Sequence, residues 1–178
     1  MKSVDLEELN RMNFRALMNA LSMPGKIKKI KPLYNSNILA AANVLLYSEI
    51  SFFYDGKEDI SVIEAITNTS KESIQKADYI FSDEIDENLV SEVKNGDFIN
   101  PDFSATIVFA CKEFDKTKVV LRGPGIDGKK EVILPCDRSF IDSLMCKNSQ
   151  YPLGIEIFFI NRASEVLALS RTTKIEVV

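Results

Sequence analysis

The residues in this chain that come nearest to a chemical signature are three closely spaced glycines. Gly123, Gly125 and Gly128 spell G-x-G-x-x-G, and Gly123 through Lys129 spell G-x-x-x-x-G-K. Both patterns can cradle phosphate, provided a strand leads in and a helix leads out, because the free N–H groups and positive dipole end of that helix hold the anion. The lead-in is present, since Lys118 to Leu121 is short, β-branched and apolar. The lead-out reads otherwise: Lys129 to Leu134 is a second strand pattern running into Pro135, and Lys130 stands where a P-loop needs Ser or Thr. The expectation is a strand-turn-strand in which Gly123 and Gly125 supply positive φ and close backbone approach. A direct ligand role through their N–H groups is the alternative.

The second chemical fact is an absence. The 178 residues contain no histidine, which removes the commonest general acid-base group and the commonest metal ligand together. Ser-His-Asp triads, Cys-His dyads and H-E-x-x-H zinc sites are excluded, so any catalysis must use carboxylates, Lys, Tyr or Cys. Cys111, Cys136 and Cys146 form no C-x-x-C and read as core or surface thiols. No metal site and no cofactor motif is expected, and no catalytic residue can be nominated. A net charge of −4 argues against a nucleic-acid or anionic-membrane partner. Lys26, Lys28, Lys29 and Lys31 crowd one segment, either as a solvated face or as an anion site. No apolar run approaches a membrane span, and the acidic start MKSVDLEELN lacks the apolar stretch of a signal peptide, so a cytoplasmic protein is expected.

Length and composition suit one domain over residues 1–178. Asp5 to Ser22 reads as an amphipathic helix with a capping box from Asp5 to Glu8 and a staple between Val4 and Leu9. Its stripe of Phe14, Leu17, Met18 and Leu21 is assigned to the core, with Arg11, Arg15 and Ser22 along its flank. Asn35 to Tyr47 is apolar nearly all round and belongs in the middle of the molecule. Further helices are expected over Asp59 to Thr67 (Ile60, Ile63 and Ile66 inward), Asp86 to Lys94 (Leu89, Val90 and Val93 inward) and Arg138 to Lys147 (Phe140, Ile141, Leu144 and Met145 inward). Strands are expected at Ser51 to Tyr54, Ala77 to Phe81, Ala105 to Cys111, Lys118 to Leu121, Glu131 to Leu134, Ile155 to Ile160, Val166 to Leu169 and Lys174 to Val177. Glu156 interrupts an otherwise apolar run and needs a partner or exposure. The whole is an α/β fold with a mixed sheet flanked by helices.

Four blocks give the chain a resemblance. They are Phe14-Arg15-Ala16-Leu17-Met18 with Ser22-Met23-Pro24-Gly25, Leu121-Arg122-Gly123-Pro124-Gly125-Ile126, Tyr151-Pro152-Leu153-Gly154-Ile155-Glu156, and Ala168-Leu169-Ser170-Arg171-Thr172-Thr173 with Ile175-Glu176-Val177. In this order and spacing they resemble the PhnH family, the H subunit of the bacterial phosphonate carbon-phosphorus lyase system. Asn95-Gly96, Pro101 and Ser104-Ala105-Thr106 form a softer fifth block. Family members usually carry proline where this chain has Ser170, and the stretch Ser51 to Glu87 matches only loosely. The resemblance implies a three-layer αβα fold similar to the large domain of pyridoxal-phosphate transferases, without the cofactor-binding lysine. It implies a homodimer assembled with the G, I and J subunits. Its task would be to help the G, I and L subunits replace the adenine of ATP with a phosphonate, giving a ribose 1-phosphonate 5-triphosphate.

The ligand or interface candidates are Arg15, Ser22, Gly123, Gly125, Arg171 and Thr173. Arg171 suits phosphate or phosphonate oxygens, or equally an ion pair or a subunit contact. Were its segment extended, Arg171 and Thr173 would share a face and Thr172 would point away. Arg15 and Ser22 could meet a ligand or a second subunit, and Tyr151 reads as packing. Three readings stay open: a subunit of the phosphonate-processing complex that touches a phosphonate or ATP-derived ligand only in company, a free-standing nucleotide- or small-molecule-binding enzyme, and a structural interaction module.

Overall fold

The computed structural model describes residues 6–178; the capping box at Asp5 and the staple at Val4 lie outside that range. Five strands run parallel in the body of a seven-stranded sheet: β2 (Ser51–Asp55), β3 (Ser70–Lys71), β4 (Tyr79–Ser82), β5 (Thr106–Ala110) and β8 (Glu156–Ile160). Antiparallel to β8 lies β9 (Glu165–Leu169), with β1 (Lys28–Lys29) beyond it, so the order is β1-β9-β8-β5-β4-β2-β3. A smaller antiparallel sheet has β6 (Thr117–Arg122) between β10 (Lys174–Val177) and β7 (Lys130–Leu134).

Side-chain alternation along the strands builds two cores. On one face Phe52, Phe81, Val108, Phe158 and Val166 pack with α1 (Leu6–Ser22), α2 (Asn37–Leu45) and α3 (Ser61–Thr67). On the other, Ile80, Ile107, Phe109, Ile157 and Phe159 pack with α4 (Glu87–Glu92), α5 (Arg138–Lys147) and the inner side of the small sheet through Val119, Leu121 and Ile175. Phe109 stacks on Phe159 at 5.9 Å and meets the edge of Phe140 at 5.6 Å. The result is a mixed α/β sheet between two layers. The Ile155–Ile160 run is buried apart from Glu156, as expected of a strand covered on both faces. No helix among the described residues is long and apolar enough to cross a membrane.

Three inward assignments are corrected. In α1 the buried residues are Asn13, Leu17 and Ala20, while Phe14 is 49% exposed. The cause is Asn13, whose amide makes two hydrogen bonds to the backbone of Lys31, donating to its carbonyl at 2.9 Å and accepting from its N–H at 2.8 Å. That pairing turns the helix so that Phe14 faces out. Ile66 is also exposed, because α3 lies at the short-strand edge and buries only Ile63. Met145 is exposed too, since α5 covers its sheet with a narrower stripe of Phe140, Ile141 and Leu144. α2 is buried nearly all round, and Ser36 starts it by accepting from Leu39 N–H at 3.0 Å.

Candidate functional site

The quoted sequence blocks meet at the amino ends of the parallel strands. The glycines link β6 to β7 as a hairpin turn, with Ile126 N–H donating to Gly123 C=O at 3.2 Å and a strand, not a helix, following. A Cβ on Gly125 would overlap the carbonyl oxygen of Ser22 at the end of α1, and one on Gly123 would stand 2.9 Å from the Thr172 carbonyl. The φ values, +134° at Gly123 and +79° at Gly125, independently favour glycine. The turn is thus wedged between the end of α1 and the connection from β9 to β10.

That connection is itself a turn, closed by Thr173 N–H donating to Ser170 C=O at 2.9 Å, so strand alternation does not apply to it. Thr172 and Thr173 both bring their hydroxyls to Ser170 Oγ, at 3.0 and 2.9 Å. Ser170 N–H donates to Thr173 Oγ1 at 3.2 Å, a bond that proline at this position could not make.

Arg171 is the hub. Its Nε donates to Glu156 Oε1 at 2.8 Å and its backbone N–H to Glu156 Oε2 at 3.0 Å, while Nη1 donates to the carbonyls of Pro101 at 2.6 Å and Pro152 at 3.3 Å. The Glu156 carboxylate in the apolar run therefore has a partner, with both side chains under one-fifth exposed. Gly154 lies against this pair, where a Cβ would stand 2.9 Å from Arg171 Cβ. Of the candidates, Ser22, Gly123, Gly125, Arg171 and Thr173 come together. Arg15 stands apart, exposed on α1.

The two loops that Arg171 ties down present an apolar patch: Phe98 (71% exposed), Ile99 (88%) and Phe103 (60%) on one, Tyr151 (70%) on the other. The first loop is held in shape by Asp97, whose carboxylate accepts from Ile99 N–H at 2.8 Å and Asn100 N–H at 2.7 Å. Those two N–H groups, Asn100 first, lower the pKa of its carboxyl.

A different arrangement occupies the carboxyl ends of the same strands, where α/β folds commonly place ligands. A cleft of about 460 Å³ is lined by Asn35, Ser36 and Asn37 at the start of α2, by Glu58 and Asp83 after β2 and β4, by Cys111 and Lys112 after β5, and by Asn161 and Arg162 after β8. Ser36 Oγ donates to Glu58, Lys57 N–H donates to Asp83 at 2.9 Å, and Asn37 Nδ2 donates to Asn161 C=O at 3.0 Å. Arg162 N–H donates to Lys112 C=O at 3.3 Å, which sets these two cations on neighbouring loop tips. Burial, helped by Asp115, pushes the Cys111 thiol up to about 12, so it stays protonated and is no nucleophile at neutral pH. Among the described residues no group of His, Cys, Asp and Glu could hold a metal ion.

Sequence reasoning missed this cleft because its polar residues are scattered over four loops and the start of α2. One signal was available: the first residue past β4 and the second past β5 and β8 are Asp83, Lys112 and Arg162, a charged residue near each carboxyl end.

No curated protein matches the chain. The family model described as bacterial phosphonate metabolism protein (PhnH) matches it over residues 5–176. That span takes in the four sequence blocks and the strands and helices that bring them together, save Val177 at the end of β10, and the chain belongs to the PhnH family of bacterial phosphonate metabolism proteins.

Proposed function

We propose that this protein is a subunit of the carbon-phosphorus lyase complex. In this reading it acts with the G, I and L subunits in transferring the ribose triphosphate of ATP onto a phosphonate, and assembles with G, I and J in the cytoplasm. It has no turnover alone, and its fold is that of the large domain of pyridoxal-phosphate transferases put to non-cofactor use. The observation that carries the reading is the exposure of Phe98, Ile99, Phe103 and Tyr151 on two loops tied to the same Arg171. Large apolar residues this exposed, on loops fixed by Asp97 and Arg171, are the anchors of a protein interface rather than of a substrate site. The titratable inventory agrees, since the best-placed cation, Arg171, is occupied by Glu156 and two carbonyls.

The expected homodimer would use Phe14, exposed on α1 and flanked by Arg11 and Arg15, while Met18 and Leu21 of the same stripe are partly buried against the core. The two surfaces separate by mutation. Tagged protein co-expressed with the G, I and J subunits should retain them, Ile99→Asp with Phe98→Ser should release them, and Phe14→Glu should leave them bound while halving the mass in sedimentation. Turnover of ATP and a phosphonate by the purified chain alone would overturn the subunit reading in favour of a free-standing enzyme.

A further inference from the structure

We infer that the cleft at the carboxyl ends of β2, β4, β5 and β8 binds a small hydroxylated monoanion or dianion, a phosphate or phosphonate bonded to a polyol. Lys112 and Arg162 hold the anionic group, while Glu58, Asp83 and Asn37 accept from the hydroxyls. This assignment does not rest on the subunit role, because a ligand could occupy the cleft in the free chain or in an assembly.

Four observations lead there. The cleft, about 460 Å³, is of small-ligand size and opens where parallel strands end. Its two cations, Lys112 and Arg162, stand on neighbouring loop tips joined by the Arg162 N–H to Lys112 C=O bond, and among the described residues neither pairs with a carboxylate. Two neighbouring like charges left without a counter-ion are stabilised by an anion spanning them, and a guanidinium beside an ammonium matches a tetrahedral oxyanion.

The opposite wall carries the reverse complement. Among the described residues Glu58 and Asp83 each accept from one donor, Ser36 Oγ and Lys57 N–H, leaving further acceptor positions. Asn37 also lines the cleft, and its Oδ1 is buried without a hydrogen-bond partner among the described residues, while the bond from Nδ2 to Asn161 fixes which end of the amide is which. A buried amide oxygen in that state is satisfied by a donor brought from outside, and a ligand hydroxyl is such a donor.

The charge balance limits the ligand further. The four side chains Glu58, Asp83, Lys112 and Arg162 sum to zero, so the cleft is dipolar rather than basic. A triphosphate would meet two carboxylates with too few cations, whereas one phosphoryl or phosphonyl group fits the cationic wall alone.

Titration calorimetry and amide NMR on the full-length protein test this with ribose 5-phosphate and 2,3-dihydroxypropylphosphonate, against inorganic phosphate, ribose and ATP. At least one of the two hydroxylated compounds is expected to bind, the stronger telling whether phosphate or phosphonate is preferred. Shifts should centre on residues 35–38, 58, 83, 111–112 and 161–162. Ribose and inorganic phosphate should each bind about tenfold more weakly or worse, as halves of the ligand. Lys112→Ala with Arg162→Ala, both exposed and outside the core, should weaken the stronger of the two about tenfold or more while leaving the melting temperature unchanged. The assignment is overturned if neither compound binds at about 10 mM. It is equally overturned if inorganic phosphate or ATP binds as well as they do, or if binding survives the double variant.

Discussion

The two ends of the parallel sheet use the same kinds of residue for opposite purposes. At the amino ends an arginine, two threonines and a set of glycines are turned inward and satisfied by one another, Arg171 on Glu156 and Gly125 on the backbone of Ser22. At the carboxyl ends an arginine, a lysine and two carboxylates line an open cleft, and the cations have no carboxylate partner among the described residues. A recognisable sequence block therefore marks where the chain must fit itself tightly, while the surface free to meet a ligand is assembled from residues without a pattern.

The largest effects should come from setting one arginine against the other. Arg171→Ala leaves Glu156 buried without its cation and frees two carbonyls, a change expected to cost about 3–5 kcal/mol. In a chain of this size that lowers the melting temperature by roughly 10 °C, readable by calorimetry or circular dichroism. Arg162→Ala, at the exposed end, should stay within about 0.5 kcal/mol of wild type. Equal losses would erase the distinction between a closed junction and an open cleft. Glu156→Met combined with Arg171→Leu should recover part of the loss, because the isolated buried charge is then gone.

The glycines sharpen the comparison on a smaller scale. Gly125 and Gly128 both have positive φ, +79° and +65°, but only Gly125 is pressed against another segment; a Cβ on Gly128 meets nothing within 4 Å. Gly128→Ala should therefore show the backbone term alone, about 1 kcal/mol. Gly125→Ala adds the collision with Ser22 and should cost about 3 kcal/mol, read as the difference in urea midpoint.

This also explains how far the sequence could be read. Strand-turn-strand at the glycines followed from Pro135 and the missing helix, and Glu156 could be seen to need a partner because a charge in an apolar strand always does. That its partner would be Arg171 was not legible, since the two are 15 positions apart with a whole strand between them. Phe14 was misplaced because periodicity sees only hydrophobicity, whereas the face of α1 is chosen by the Asn13 amide bonding to the backbone of Lys31, a polar contact with no periodic signal. Whether the segment at Arg171 is extended or a turn was left open by the sequence, because the Ser170 and Thr173 bonds that close the turn have no periodic signal. The cleft was missed altogether, because neighbours in space there come from four separate loops and the start of α2.

Helix caps extend the contrast to pH. Asp137 caps α5 by accepting from Phe140 N–H at 3.1 Å, and that bond, with the Ser139 hydroxyl, holds its carboxyl below the ordinary value. A depressed folded-state pKa means its contribution is fully present above the unfolded value of about 4 and is lost as pH falls through the folded one. Ser36, the cap of α2 in the cleft, does not ionise. Either cap replaced by alanine should cost about 1 kcal/mol at pH 7. Measured in urea between about pH 7 and pH 2.5, the Asp137→Ala penalty should shrink as acid neutralises the wild-type carboxylate, whereas the cap that Ser36 supplies directly to Leu39 has no such titration.

The smallest effect separates the two regions without any mutation. Burial pushes the thiols of Cys111 and Cys136 up to about 12 each, so at pH 8 both hold a thiolate fraction of only about one part in ten thousand. Chemistry alone would make them equally inert, and access must decide between them. Cys111 lines the open cleft, while Cys136 sits under the small sheet at 1% exposure. Alkylation of the native protein followed by peptide mapping should therefore label exposed Cys146 first and Cys111 slowly, with Cys136 labelled only when the protein is unfolded. Because Cys136 must wait for an opening of the core, its labelling rate should rise with added urea in step with global unfolding, while that of Cys111 should hardly respond. Matching urea dependences for the two would mean that the cleft is closed in solution, and the contrast between the ends of the sheet would fail with it.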